Sequence, residues 1–215
     1  MKQLKEFAAA LSVLLMAGLY GMASVVYAAP VEGQDYKVLA NPQPTQNKAQ
    51  IEVIEFFWYG CPHCNNLHLP LKSWLKNKPA DVDFRYVPAI FRGNWEPGAK
   101  IYYTLEAIGG MDDMHDKIYD AIHRDKINLN DETTLFGWLE KQGVDKDKFV
   151  KIYHSFTIQN QIARSKQMMQ QYQLSGVPIL VVEGKYLVSG KSGGTPQDMV
   201  NTLEKVIEMA RKARE

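Results

Sequence analysis

The sequence predicts an α/β domain built on a mixed sheet and interrupted by about seventy consecutive helical residues. Three observations carry that reading. A near-continuous apolar run, Ile51 to Trp58, has the length and the β-rich character of a strand buried on both faces. Residues from about 97 to 172 show apolar spacing of three and four with repeated cap and stop signals, and no strand pattern. After them, Ile179-Leu180-Val181-Val182, Glu183-Gly184 and Tyr186-Leu187-Val188 read as a β-hairpin.

The elements follow in order. The first residues carry Lys2 and Lys5 ahead of an uncharged apolar stretch, Phe7 to Ala29, that closes on Val26-Tyr27-Ala28. This is the pattern of a secretory signal peptide cleaved after Ala28. An uncleaved anchor is the alternative, but Gly18, Gly21 and Ser24 suit a cleavage region better than a spanning helix. The segment up to Asn47, with Gly33, Pro42 and Pro44, is a lead-in with a short edge strand near Tyr36 to Leu39. Strand Ile51 to Trp58 comes next. A helix from Cys61 to Lys76 carries Leu67, Leu71, Trp74 and Leu75 and ends before Pro79, because a proline disfavours helix in the residue preceding it. Val82 to Val87 is the second strand, which completes a β-α-β unit.

The helical block is punctuated in the same way. Ala99 to Ile108 stops at Gly109-Gly110, Asp112 opens a run through Ile122, Asp131 to Leu139 closes at Gly143, Asp145 caps the next helix, and Ser155 to Tyr172 leads back to Leu174-Ser175-Gly176. A final helix runs from Pro196 to Arg211. The expected division is therefore 1–28 signal peptide, 29–96 first part of the α/β domain, 97–172 helical insertion and 173–215 second part of the α/β domain.

Composition narrows the chemistry. With 46% hydrophobic and 23% charged residues in 215, the chain is globular rather than disordered. Removing residues 1–28 takes Lys2, Lys5 and Glu6 from the 25 basic and 24 acidic residues and leaves a net charge of 0, so nothing electrostatic favours nucleic acid. Gly190-Lys191-Ser192 lacks the rest of a phosphate-binding loop.

The two cysteines of the chain stand together in Cys61-Pro62-His63-Cys64, where the first strong strand meets its helix. Pro62 fits a first helical turn because its missing N–H is no loss there. Cys61 then faces the unpaired N–H groups and positive end of the helix dipole, which stabilise a thiolate, and His63 adds positive charge or a hydrogen bond beside it. Export would place this pair in an oxidising compartment. A disulfide closing so short a loop constrains the unfolded chain little, so redox chemistry explains the pair better than stability does. Glu55 interrupts the apolar strand; it is either an exposed alternate position or a buried carboxylate behind the cysteines that serves proton movement.

Glu55-Phe56-Phe57-Trp58-Tyr59-Gly60 leading into Cys-Pro-His-Cys, with Gly176-Val177-Pro178 more than a hundred residues later and the Val182-to-Tyr186 hairpin, resembles the DsbA family of periplasmic thiol:disulfide oxidoreductases over nearly the whole mature chain. The resemblance implies a thioredoxin-like fold with an inserted all-helical domain, in agreement with the element order. It implies that Cys61 is the exposed nucleophile, Cys64 its buried partner, Pro178 a cis-proline facing them and Glu55 the family's buried acid. Members often carry a basic partner for that acid on the second strand, and the nearest candidate here is Arg85. A proline at a strand start lacks the N–H that would need a partner, and Val177 keeps its backbone groups for an extended substrate. The redox centre would be the Cys61–Cys64 disulfide with no further cofactor and no metal. The partners would be reduced, unfolded exported proteins and a membrane, quinone-linked reoxidase of the DsbB type; a monomer in the periplasm is expected.

Three other readings compete. Cys61, Cys64 and His68 fall on one helix face and could begin a zinc or copper site, but no motif supplies a fourth ligand, and His115, His123 and His154 read as surface or packing residues. An isomerase or reductase of the same fold is nearer, although no separate dimerisation module fits before Ile51. A non-enzymatic chaperone would need exposed apolar surface, which Phe91, Trp95 and Met111 could supply.

Overall fold

The computed structural model describes residues 29–191 and 194–214; the expected signal peptide lies outside them, as do two residues of the 190–194 loop. Among the described residues no helix is long and apolar enough to cross a membrane. In the described residues five strands form one mixed sheet in the order β1-β5-β4-β2-β3: β1 (Lys37–Val38), β2 (Ile51–Phe57), β3 (Val82–Pro88), β4 (Ile179–Val182) and β5 (Tyr186–Ser189). Strand β2, paired on both sides, is buried at every residue, Glu52 and Glu55 included, which is why it reads as a near-continuous apolar run. It pairs in parallel with β3 and antiparallel with β4. Helix α1 (Pro62–Lys76) makes the crossover between the parallel strands.

Between β3 and β4 stand a 3₁₀ turn at Gly93–Trp95 and five helices: α2 (Glu96–Ile108), α3 (Met111–His123), α4 (Glu132–Lys141), α5 (Lys146–Tyr153) and α6 (Phe156–Gln171). Each stop and start has a local cause. Gly109 takes the left-handed conformation that ends α2. Asp131, Asp145 and Ser155 accept the N–H of the residue three positions on and so open α4, α5 and α6. The last helix, α7 (Pro196–Lys212), opens on a reciprocal capping box between Thr195 and Asp198. In the β4–β5 hairpin Glu183 and Gly184 both have positive φ, and a Cβ on Gly184 would fall 2.0 Å from the Gln43 carbonyl oxygen, so only glycine fits there.

Strand alternation divides the core between the two faces of the sheet. Ile51 and Val53 of β2, with Leu180 and Val182 of β4, pack against Leu67 and Leu71 of α1 and Leu203, Val206 and Ile207 of α7. Ile54 and Phe56 point the other way, into a cluster with Tyr102, Leu105, Phe149, Ile158 and Met169 of the inserted helices. The insertion therefore shares its core with the sheet. One feature of α1 went unforeseen: Pro70 lies inside the helix, where it has no N–H to give the Asn66 carbonyl one turn earlier.

Candidate active site

The site is built where β2 ends and α1 begins. Cys61 is the N-cap of α1 in extended conformation, with Pro62 in the first turn. Its N–H donates to the Trp58 carbonyl at 3.0 Å, closing a tight turn over Tyr59 and Gly60. Cys64, one turn into the helix, is fully buried, whereas Cys61 keeps 8% of its surface. Cys61 is thus the more open sulfur, yet it is more recessed than the exposed nucleophile expected from resemblance. The reason lies across the sheet: the Cys61 thiol donates to the Val177 carbonyl at 3.6 Å, so the chain before β4 roofs it. The Val177–Pro178 peptide bond is cis, and β4 begins only at Ile179, which leaves Val177 beyond the strand ladder.

The two sulfurs occupy opposite electrostatic environments. The Cys64 thiol and the backbone N–H groups of Cys64 and His63, with the positive charge of His63, draw the Cys61 thiol down from its ordinary value of 9.0 to about 6, against an opposing effect of burial. Burial pushes the Cys64 thiol far up, with the hydrogen bond to Cys61 and the nearby Glu55 charge adding to it. Glu55 is buried, at 2% exposure, which settles its two readings in favour of a carboxylate inside the sheet. It stands on the face of β2 turned to α1, opposite Leu180 of β4 and Tyr86 of β3. Burial, and secondarily the Cys61 charge, raise its carboxyl to about 8, so it holds a proton at neutral pH.

Arg85 is not its partner. The register sets Arg85 beside Ile54, on the opposite face, and its Nε lies 3.6 Å from Oε2 of the buried Glu52. A shift of one residue in strand register exchanges the two faces, and only the paired strands fix it. His68 also departs from the metal reading: its Nε2 is 2.7 Å from Asp116 of α3, an oxygen pair that Lys72 of α1 shares. His63 is exposed, and a groove of about 650 Å³ beside it is lined by Asn66, Val177, Pro178, Lys37 and Lys191.

Two sets of contacts in this region are not read off the sequence pattern, which gives His115 and His123 only as surface or packing residues and Phe91 and Trp95 only as apolar surface. His115 and His123 of α3 both bond to Tyr59, through its hydroxyl at 2.8 Å and its carbonyl at 2.7 Å. Trp58 stacks on Trp95 at 4.0 Å with the rings 3° from parallel, and Phe91 meets Trp95 edge-on. The recurrence of His115, Tyr119 and His123 at four-residue intervals was the available signal for the first pair.

Comparison with known proteins agrees with this geometry. A family described as DSBA-like thioredoxin domain matches residues 81–205, which take in the inserted helices and the Val177–Pro178 segment. The chain is similar to the thiol:disulfide interchange protein DsbA of Pseudomonas aeruginosa, 38% identical over 94% of this chain and 95% of that protein. It is also similar to that of Azotobacter vinelandii, 39% identical over 85% of each chain. The crystal structure of P. aeruginosa DsbA superposes with a TM-score of 0.81 at 37% identity, covering 89% of this chain and 98% of the other. The oxidoreductase NmDsbA1 of Neisseria meningitidis gives 0.75 at 30% identity, covering 86% and 95%. With a thioredoxin-like sheet, a helical insertion and a Cys-Pro-His-Cys pair at the sheet's helix junction, the chain belongs to the DsbA family of thiol:disulfide oxidoreductases.

Proposed function

We propose that the protein is a dithiol oxidase of the periplasm that donates the Cys61–Cys64 disulfide to reduced exported proteins. The observation that carries the direction is the unequal setting of the two sulfurs: Cys61 at the N-terminus of α1 with its thiol drawn down to about 6, Cys64 buried with its thiol pushed up. A stable Cys61 thiolate favours the reduced enzyme, and that makes its disulfide an oxidant. DsbA is itself the general example of a very acidic thiol paired with an oxidising potential, so that expectation comes with the family.

In the reaction, a substrate thiolate attacks the Cys61 sulfur. The Cys61–Cys64 bond breaks, and Cys64 leaves with the electron pair and takes up a proton, for which Glu55, protonated at neutral pH, is the nearby source. A second substrate thiolate then attacks the substrate sulfur of the mixed disulfide. Cys61 leaves as a thiolate, the substrate is oxidised by two electrons and the enzyme is reduced by two. No cofactor beyond the disulfide enters. Val177 offers backbone groups for an extended substrate to lie alongside, which gives affinity through the main chain with little sequence choice. Pro62, His63 and Pro178 shape the rim of the same site.

Reoxidation by a membrane, quinone-linked partner of the DsbB type follows from the resemblance alone, as does action as a monomer. The first test is the equilibrium of the pair with a glutathione buffer, alongside thiolate absorbance against pH. An oxidising constant and an acidic Cys61 support a disulfide donor. A constant near that of thioredoxin, with a thiol titrating near neutrality or above, would make the protein a reductase or isomerase.

A further inference from the structure

The last residue of α3 reaches out of the inserted helices to the turn that carries the cysteines. His123 Nε2–H donates to the Tyr59 carbonyl at 2.7 Å. The Tyr59 hydroxyl lies 2.8 Å from Nδ1 of the buried His115, and the Tyr59 ring packs edge-on against Tyr119 at 5.2 Å. His115, Tyr119 and His123 stand four residues apart on one face of α3. Tyr59 is itself 1% exposed, so one helix holds both its backbone and its side chain. The same helix grips α1 through Asp116, which meets His68 and Lys72.

We propose that His123 is a positioning residue for the Cys61–Cys64 pair: by holding the Tyr59 carbonyl it fixes the turn that sets Cys61 at the N-terminus of α1, and so strengthens the pair as an oxidant. The physical reason is an asymmetry between the two redox states. In the disulfide, the covalent bond to Cys64 already fixes the Cys61 sulfur. In the dithiol that covalent tie is gone, and the turn from Trp58 to Cys61 holds the Cys61 backbone where the helix N–H groups stabilise the thiolate. Loosening the turn therefore harms the reduced state more than the oxidised one. The inserted helices contribute no atom to the exchange, yet through His123 they set its equilibrium. The inference rests on the reading of the pair as a disulfide donor.

The test compares H123Q, whose amide nitrogen can occupy the place of Nε2 and donate, with H123M, which is of similar length and has no donor. Both are made in the mature chain. The glutathione equilibrium constant is measured for each, with melting of the oxidised and reduced forms. Loss of one hydrogen bond acting in the reduced state predicts that H123M is less oxidising by about three- to tenfold, which is about 14 to 30 mV for a two-electron couple. The reduced form of H123M should lose more melting temperature than its oxidised form, and H123Q should stay within about twofold of the wild type. The proposal is overturned if H123M matches the wild type, if H123Q shifts as far as H123M, or if both redox forms of H123M are destabilised equally. A wild type that is itself reducing would remove the donor reading and leave the ratio between the variants to be read as before.

Discussion

The Cys61 sulfur lies 3.6 Å from the Val177 carbonyl oxygen, 116 residues away along the chain. The sulfur that a substrate thiolate would attack therefore stands beside the backbone that would receive the substrate strand. On the proposed function binding and exchange would share one place, as suits a catalyst that reads main chain rather than side chains.

That arrangement separates a disulfide donor from a binding protein. In C64A the Cys61 sulfur remains accessible to exchange but has no internal thiol to displace a bound partner. Oxidation of a reduced model substrate should be lost. Offered a disulfide-bonded model peptide, the Cys61 thiolate should break that bond, release one peptide thiol and accumulate as a mixed disulfide on non-reducing gels. A variant that kept full activity would mean that the pair is not the working centre.

The lowered Cys61 thiol makes the redox equilibrium pH-dependent in a defined way. The folded value is depressed from 9.0 to about 6, so the stability it lends the reduced protein is fully present above 9 and is lost as pH falls through 6. The whole contribution is about 4 kcal/mol at about 1.4 kcal/mol per unit. The reduced form should accordingly melt above the oxidised form at pH 7, with the gap narrowing toward pH 5. The potential should fall by about 59 mV per pH unit below the Cys61 titration and by about 30 mV per unit above it, because one proton fewer is then taken up with the two electrons. Equal melting temperatures at pH 7 would contradict the asymmetry of the two sulfurs.

Glu55 acts on stability with the opposite sign. Its carboxyl is raised from 4.5 to about 8, so the folded protein keeps a proton that the unfolded chain releases, and stability falls as pH rises between those values. On the oxidised protein the Cys61 charge is gone and burial alone raises the carboxyl, so E55Q should gain on the wild type by about 1.4 kcal/mol per pH unit from 4.5 up to a limit below 8. Its exchange rate should fall, since Cys64 loses its nearby proton source. A pH-independent difference in stability would show that Glu55 does not titrate there.

Gly60 is required by the tryptophan beside it. A Cβ at this position would come 2.3 Å from the Trp58 ring, which is stacked on Trp95 and cannot move without leaving that stack. G60A should cost about 1–3 kcal/mol in denaturant unfolding, as overpacking does, and should change tryptophan emission in the native state.

The strands and helices were legible because each carries its own periodicity and punctuation. β2 is apolar at nearly every residue because it is covered on both faces, and Gly109, Asp131, Asp145 and Gly184 stand where turns and caps demand them. The cysteine pair was legible because a helix N-terminus and two thiols suffice to state the chemistry. Three features were not. Arg85 needed the register of two strands, which a sequence does not carry, and it went to Glu52. The depth of Cys61 depends on a segment more than a hundred residues away. His123 looked like any helix-terminal histidine because its acceptor is a backbone carbonyl in a turn, and every residue type has one.

The Trp58–Trp95 stack joins the active-site turn to the first of the inserted segments. Two indoles 4.0 Å apart and 3° from parallel couple their electronic transitions strongly, and that coupling decays steeply with separation and angle. The pair is therefore an intrinsic ruler across the seam between sheet and insertion. Any hinge opening there during turnover would write itself into the circular dichroism of the tryptophans, with no label attached.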